Sequence, residues 1–299
     1  MNDSRTLSIL TEFLRTPWAI LPEALNAFAF NLARYAAGEP VTARRNRSTA
    51  IAPGTIAVVP VYGIITQRGD LFDAIFGGGS VSTQQLAATL RQLQADDNIG
   101  AIVLDVDSPG GSVYGVAELA EEIFAARGGK KIVAVADSLA ASAAYWIASA
   151  ADEMIVTPTG EAGSIGVYAM HQDISGALEK FGVKVSLIAA GKYKTEGSPY
   201  APLDDEARAH MQARVEDYYQ MFIKAVARNR KDTQTAVREG YGQGRVLGAE
   251  DAVKANLADG IATLDEMLKK LSRQAKASAS SAGKSTRLAA ARRELSILS

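Results

Sequence analysis

Residues 99–137, IGAIVLDVDSPGGSVYGVAELAEEIFAARGGKKIVAVAD, contain the pattern that decides the fold. Two apolar runs, IGAIVLDVD and KIVAVAD, are rich in β-branched residues and have the length of buried strands. Between them, GSVYGVAELAEEIFAARGG has helical periodicity and ends in two glycines. A strand, a helix and a second strand in this order predict an α/β domain with a mainly parallel sheet.

The same alternation continues on both sides of this segment. Further strands are predicted at TIAVVPVYGII, EMIVTP, GVYAM and KVSLIAA. Further helices are predicted at VSTQQLAATLRQLQADD, capped by Ser82 or Thr83, at SLAASAAYW, at DISGALEKFG and from Asp204 to about Arg230. The last unit, GRVLGAEDAVKANLADGIATLDEMLKKL, predicts a turn, a helix, a short strand and a helix.

The composition excludes several classes of site. The 299 residues contain 32 basic and 33 acidic side chains, so the charge balance predicts no nucleic-acid partner. Because the chain has no cysteine, it has no thiol nucleophile, disulfide or thiolate-bound metal. Its two histidines exclude a histidine-rich metal site, and a Ser-His-Asp triad would have to use one of them. The simpler expectation is a solvent-facing helix position for His210 and a strand end for His171.

Three regions are predicted along the chain. We expect residues 1–50 to form a helical N-terminal extension that ends in a basic linker, 51–271 to form the main domain, and 272–299 to form a basic, disordered Ala/Ser-rich tail. The apolar stretch WAILPEALNAFAFNLARYAAG is interrupted by Pro22, Glu23 and Arg34, so we expect amphipathic helices that pack on the body or on a partner, and no transmembrane anchor.

The turn LDVDSPGGSVYG has features of an oxyanion site. A predicted strand ends at Asp107, Pro109 fixes the turn, and Gly110 and Gly111 let backbone N–H groups point toward a ligand. The start of the following helix adds a positive dipole at this point. An ordinary strand-to-helix turn would explain the same residues, so the motif alone leaves both interpretations open.

A second strand-to-helix junction, DSLAASAAYW, presents Ser142 between alanines. Small neighbours would let a carbonyl approach the hydroxyl, and the amide of Ala143 could be a second oxyanion donor facing Gly111. A serine nucleophile also needs a base. With histidine so scarce, the candidates are Lys192 and Lys194, in a loop after an apolar run. A lysine acts as a base only when burial lowers its pKa, and spacing alone does not choose between these two.

The motifs DSPGGSV, SLAASAAYWIASAAD, TGEAGSIGV, AAGKYKTEGSP and GRV occur in an order that resembles the signal peptide peptidase A family of serine peptidases. The resemblance covers about residues 54–271. This family is related to the Clp protease subunit. The resemblance therefore implies a ClpP/crotonase-like spiral of repeated β-β-α units with a helical N-terminal extension.

The resemblance also implies a Ser-Lys dyad, without a metal or other cofactor. Motif by motif, Ser142 corresponds to the nucleophile, Lys194 rather than Lys192 to the general base, and Ser164 to a serine that holds the lysine amine. Gly111 and Ala143 correspond to the oxyanion hole. The chain departs from the family pattern after the nucleophile, where many relatives carry glycines and this sequence has Ala143 and Ala144.

Within this family, the N-terminal stretch TPWAILPEALNAF and the basic tail are more similar to soluble members from phage and prophage head genes. That branch implies protein substrates such as scaffold or capsid proteins, in the bacterial cytoplasm or a phage prohead. It also implies a homo-oligomer whose clefts are shared between protomers. The alternatives are a soluble housekeeping peptidase, a catalytically silent scaffold or shell component, and a crotonase-like acyl-CoA enzyme.

Overall fold

A computed structural model describes residues 16–36, 49–52, 55–68 and 79–275. The expected tail, most of the expected linker and the first 15 residues lie outside these ranges. Most of the glycine-rich segment AIFGGGS, residues 74–80, also lies outside them. Within the described ranges, no helix is long and apolar enough to cross a membrane.

The described residues form two sheets, and the larger one lies at the centre of the domain. From edge to edge it contains Val246–Gly248 (β11), Glu161–Gly163 (β10), Lys131–Ala141 (β8), Ala101–Ser108 (β6), Ile56–Tyr62 (β3) and Ala50–Ala52 (β2). Glu153–Val156 (β9) also pairs with β8, and Gly260–Ile261 (β12) pairs with β9. Apart from β2 and β11, which pair antiparallel, the strands run parallel, as the sequence predicts.

The smaller sheet contains, in order, Trp18–Ile20 (β1), Gly110–Ser112 (β7), Ile64–Thr66 (β4) and Ser80–Ser82 (β5). Its strands β4 and β7 follow directly after β3 and β6 of the larger sheet, and a helix follows each pair further along the chain. This is the expected β-β-α repeat. The strand β1 joins the sheet from the N-terminal side and runs antiparallel to β7.

Helices cover the sheets. In the described part of the chain they are Pro22–Ala36 (α1), Thr83–Ala95 (α2), Val116–Ala125 (α3), Ala143–Ser149 (α4), Ser175–Lys180 (α5), Asp205–Arg230 (α6), Gln234–Gly240 (α7), Ala249–Lys254 (α8) and 264–275 (α9). The predicted cap of α2 is correct, because the Ser82 hydroxyl accepts from the Gln85 amide (3.2 Å). Such a cap satisfies one N–H group that has no partner within the helix.

The central strand β6 is buried on both faces. Ile102 and Leu104 pack in the cluster formed with α2, α3 and α4, whereas Val103 packs with Met267 and Leu271 of α9. Alternate residues of a strand face opposite sides of the sheet, so this division follows from its period of two. A strand buried on both faces has a continuous apolar sequence, as in AIVLDV.

Two predicted strands are wrong. GVYAM forms a single bridge, between Tyr168 and Trp18, and KVSLIAA forms no strand. Both have strand-like composition, but a strand also needs a neighbour, and among the described residues no ladder reaches 183–190. In that segment Leu187 is 49% exposed and Ile188 is fully exposed. His171 therefore does not end a strand; its ring Nε2 lies 3.1 Å from the carbonyl oxygen of Ser198.

Candidate active site

Ser142 stands at the junction between β8 and α4 in a strained conformation. Its φ of 56° and ψ of −118° lie outside the regions that L-residues prefer. Such a conformation costs about 1–3 kcal/mol and persists only where the surroundings enforce it. Here the Ser142 amide donates to the carbonyl of Gly163 (2.7 Å), and its hydroxyl lies 3.4 Å from the carbonyl oxygen of Gly166. This sharp strand-to-helix turn resembles the way other hydrolases present a nucleophilic serine.

The SPGG motif packs directly against Ser142, but not at the expected helix start: Gly110 and Gly111 belong to the strand β7, and α3 begins only at Val116. The buried hydroxyl of Ser108 donates to the carbonyl of Gly63 (2.6 Å) and accepts from the amide of Gly110 (3.2 Å), which fixes the turn. A Cβ placed on Gly110 would lie 3.0 Å from Cβ of Ser142. A Cβ placed on Gly111 would lie 1.9 Å from the carbonyl oxygen of Ile65, so only glycine fits there.

Ala143 is the first residue of α4, and its N–H group therefore has no acceptor within the helix. The carbonyl of Ser142 already accepts from the amide of Trp146 (2.9 Å). Gly110 packs against Ser142, the residue before Ala143. Of the two residues expected to form the oxyanion hole, Ala143 directly follows the candidate nucleophile, and Gly111 directly follows the glycine that packs against it.

Contacts far apart in the sequence fix the position of α4. Its side chains are all buried, and Trp146 stacks on Phe222 of α6 with ring centroids 4.5 Å apart. The hydroxyl of Tyr145 donates to the carbonyl of Leu257 (2.9 Å). Arg127 donates to three carbonyls at the end of this helix, those of Ser149, Ala150 and Ala151. Sequence reasoning missed Arg127, because nothing in the local sequence ARGG indicates this distant partner.

Ser164 is buried beside the Ser142 junction, in the turn that follows β10. Its backbone φ is 54°, and its amide donates to the carbonyl of Arg245 (2.8 Å), in the GRV motif. The preceding residue, Gly163, accepts the Ser142 amide. The motifs around Ser142, Ser164 and Arg245 are therefore brought together by backbone hydrogen bonds.

Lys194, the predicted base, is not hydrogen-bonded to this group in the part of the chain that the structure describes. It is exposed, and it lines a surface cavity of about 510 Å³ together with His171, His210 and Arg214. Among the described residues, no hydrogen bond joins Lys194 to Ser142 or to Ser164. Within one chain, the structure thus brings together the predicted nucleophile and oxyanion residues but not the predicted base.

Lys192, the other candidate base, is engaged in a surface cluster. Its amine donates to the hydroxyl of Tyr193 (2.8 Å) and to the carboxylate of Glu206 (2.9 Å). Hydrogen bonds to Tyr193 and then to Glu206 raise the pKa of Lys192 above its ordinary value. A lysine whose pKa is raised stays protonated at neutral pH and cannot accept a proton, so these contacts disfavour Lys192 as the general base. His210 is exposed on α6, as expected, and its ring Nε2 lies 4.0 Å from a carboxylate oxygen of Glu196.

No group of three or more metal-ligating side chains occurs within the ranges that the structure describes. The contacts described for Ser142 are with the carbonyls of Gly163 and Gly166 and with Gly110. A serine hydroxyl at such a junction suits attack on a carbonyl when a base accepts its proton.

Comparison with known proteins identifies the family. The family model for Clp protease matches residues 73–172, which confirms the ClpP/crotonase-like fold. The chain is 33% identical over 260 residues to capsid assembly protease C of Escherichia phage lambda, covering 85% of this chain and 55% of that protein. It is 34% identical over 209 residues to head-tail preconnector protein GP5 of Enterobacteria phage P21, and this match covers 68% of this chain and 40% of that protein.

A cellular protein is also similar: the putative signal peptide peptidase SppA of Enterococcus faecium is 30% identical over 225 residues, covering 74% of this chain and 64% of that one. The chain thus spans less than two thirds of the length of each of these three relatives. The family model for peptidase family S49 matches residues 124–278, a region that contains Ser142, Ser164 and Lys194. The chain therefore belongs to peptidase family S49.

Proposed function

We propose that the chain is a serine endopeptidase in which Ser142 attacks the carbonyl of a peptide bond. The observation that carries this proposal is the strained junction at Ser142, which lies directly before the helix α4 and packs against Gly110 of the strand β7. Strain of this kind is kept where a residue must be presented for function. Membership of peptidase family S49 supports the same reaction.

In the proposed mechanism, neutral Lys194 takes the proton of the Ser142 hydroxyl as the oxygen adds to the carbonyl carbon. The amides of Gly111 and Ala143 stabilise the oxyanion, and one such donor contributes roughly 10²- to 10³-fold to the rate. Ser164 holds the lysine amine. The lysine then passes the proton to the leaving amine, and water releases the acyl group from Ser142.

The exposure of Lys194 supports a cleft shared between protomers. A lysine with an ordinary pKa near 10.4 is protonated at neutral pH, and burial is needed to lower that value. The single chain leaves Lys194 exposed, together with apolar side chains of the preceding segment, Val185, Leu187 and Ile188. In the proposed homo-oligomer, a neighbouring copy covers this surface and completes the dyad.

The proposed substrates are scaffold or capsid proteins during phage or prophage head maturation, in the bacterial cytoplasm or the prohead. Similarity to capsid assembly protease C of phage lambda favours this role over that of a housekeeping peptidase. Residues 51–271 would form the peptidase domain, with 1–50 as an extension and 272–299 as a tail. No cofactor or nucleic acid takes part in the proposed reaction.

The proposal is tested by hydrolysis of casein and of co-encoded capsid proteins, followed by gel and intact-mass analysis. Wild type should cut these substrates, whereas Ser142→Ala and Lys194→Ala should lower kcat at least about 10³-fold. Lys192→Ala is the matched control and should retain activity, because Lys192 is engaged with Glu206. Equal behaviour of wild type and Ser142→Ala would refute the peptidase function and favour a silent shell component.

The shared cleft has its own test. Ser142→Ala and Lys194→Ala proteins are each inactive alone, but subunits of the two could be mixed or co-expressed. If the dyad is formed between copies, some mixed clefts contain both an intact serine and an intact lysine, and activity should return. No recovery in verified mixed oligomers would show that serine and lysine act within one chain.

A further inference from the structure

The strand β1 lies directly along the candidate oxyanion strand β7. The antiparallel register pairs Trp18 with Ser112, Ala19 with Gly111 and Ile20 with Gly110. Backbone bonds extend this pairing at both ends: the Val113 amide donates to the carbonyl of Pro17 (3.3 Å), and the Leu21 amide donates to the carbonyl of Pro109 (2.9 Å).

The hydrogen-bond pattern of this ladder places the carbonyl of Ala19 opposite the amide of Gly111, a candidate oxyanion donor. Hydrogen-bonded and non-hydrogen-bonded pairs alternate in an antiparallel ladder. The bonds at Val113 and Leu21 therefore make Ala19 and Gly111 a hydrogen-bonded pair, with the Gly111 amide facing the Ala19 carbonyl. A Cβ placed on Gly110 would lie 2.2 Å from the Ala19 carbonyl oxygen and 3.0 Å from Cβ of Ser142. The Ala19 carbonyl and the Ser142 side chain therefore lie beside the same glycine.

The other edge of β1 is also paired. The Trp18 amide donates to the carbonyl of Tyr168 (2.8 Å), and the Tyr168 amide donates back to the carbonyl of Trp18 (3.0 Å). Trp18 and Ala19 are fully buried, and Ile20 is nearly so. The segment thus lies extended between two backbones, which is how a sheet edge receives a peptide.

From this geometry we propose that residues 17–21 occupy, in cis, the groove in which a substrate peptide binds, so that segment and substrate compete. The inference rests on the proposed peptidase function. The segment continues into α1, whose side chains Leu25 and Phe28 are buried, so it is tethered beside the groove at high effective concentration. Displacement of the segment would then control access to Ser142.

The first test compares kcat/KM for a fluorogenic peptide with alanine before the cleaved bond. Trp18→Ala removes the largest buried side chain of the segment. It should raise kcat/KM about tenfold, because substrate displaces a more weakly held segment more easily. Phe30→Ala is the matched control, since Phe30 lies on α1 but is 66% exposed, and it should leave kcat/KM unchanged. The synthetic peptide TPWAILPE, residues 16–23, should inhibit the Trp18→Ala protein competitively.

A folded Trp18→Ala protein with unchanged kcat/KM and no inhibition by the peptide would overturn the inference. Intact mass gives a further readout, because Ser142 could cut the segment that it faces. Loss of residues 1–19 from wild type but not from Ser142→Ala would support the assignment. In that reaction the Ala19–Ile20 peptide bond breaks, the hydroxyl of a water molecule is added to the Ala19 carbonyl carbon, and the remaining proton of that water goes to the Ile20 nitrogen.

A measurement on wild type avoids any folding defect of the variant. A peptidyl phosphonate bound to Ser142 should fill the groove and increase hydrogen exchange at the amides of Trp18 and Leu21. If Ser142 is labelled while those amides stay protected, the segment is not in the groove and only this inference fails. If Ser142 is labelled neither in wild type nor in Trp18→Ala, the proposed peptidase function fails with it.

Discussion

The guanidinium of Arg127 donates to the carbonyl of Ala150 (2.9 Å), immediately after the helix that begins beside Ser142. Two more of its bonds reach the neighbouring carbonyls of Ser149 (2.9 Å) and Ala151 (2.6 Å). The last carbonyls of a helix have no partner within it, and here their surroundings are buried. Arg127 thus anchors the end of α4 opposite the candidate nucleophile.

We expect Arg127→Met to lower the free energy of unfolding by about 3 kcal/mol, because several buried carbonyls would lose their donor. Urea denaturation measures this change. Arg91→Met is the control, since Arg91 forms an exposed ion pair with Glu122 (2.6 Å) and such pairs contribute about 0–1 kcal/mol. Similar losses in the two variants would show that the helix end does not depend on Arg127.

The strain at Ser142 can be measured with two variants that both lack the hydroxyl. Glycine accepts a φ of 56° and a ψ of −118° without the steric cost that alanine retains. Glycine also loses more entropy on folding, by roughly 0.4–1 kcal/mol, so the net gain is smaller than the strain itself. We expect Ser142→Gly to be about 1 kcal/mol more stable than Ser142→Ala by thermal or urea unfolding.

The control for this comparison is Ala140→Gly, at a buried position within β8. Glycine there relieves no positive φ and should lower stability. If Ser142→Gly is no more stable than Ser142→Ala, the junction stores no strain.

Gly111 should tolerate no side chain. In Gly111→Ala the new Cβ would meet the carbonyl oxygen of Ile65 at 1.9 Å, and both atoms belong to paired strands. We expect a loss of about 1–3 kcal/mol in stability from overpacking. Displacement of the Gly111 amide should also lower kcat about 10²-fold or more. Peptidase assays on the folded protein measure kcat, and urea unfolding measures the free energy of unfolding.

Gly176→Ala provides the matched control, because nothing lies within 4 Å of a Cβ placed on that helical glycine. It should be neutral or slightly stabilising, since alanine favours a helix. A Gly111→Ala protein with wild-type stability and kcat would exclude both the close approach and the oxyanion role.

Local sequence was enough to predict the features that depend on local physics. The apolar strand AIVLDV, the Ser82 cap and the glycine at position 110, with its φ of 98°, follow from burial, capping and backbone freedom. These parts of the fold and of the site need little information from distant residues.

Features that depend on distant partners were missed. Composition predicts a strand at 183–190, but the described part of the chain gives this segment no neighbouring strand. As a result, the apolar side chain of Ile188 is fully exposed. Conversely, WAI precedes a helix and has no strong strand pattern, yet it forms β1 because the edge of β7 and the backbone of Tyr168 offer partners. Pairing at long sequence separation is invisible to a local pattern.

An ion pair connects α6 to the C-terminal unit and makes stability depend on pH. Arg230, with a side chain only 5% exposed, donates to both oxygens of Asp259 (2.9 Å each). Burial alone would raise the pKa of Asp259, but hydrogen bonds from Arg230 and from the amide of Met154 outweigh it and hold the pKa below its ordinary value. Asp259 is therefore more acidic in the folded chain than in the unfolded chain.

A folded-state pKa below the unfolded value means that the contribution of Asp259 is present above about pH 4 and is lost as pH falls through the folded pKa. We expect Asp259→Asn to lower the free energy of unfolding by about 2 kcal/mol at pH 7. This is less than the loss expected for a fully buried ion pair, because the carboxylate is 40% exposed and solvent screens its charge. Urea unfolding from pH 7 to pH 3 should show this difference shrinking in acid. Asp265→Asn, in an exposed pair with Lys269, should change little throughout. A difference for Asp259→Asn that stays constant to pH 3 would mean that its charge does not stabilise the fold.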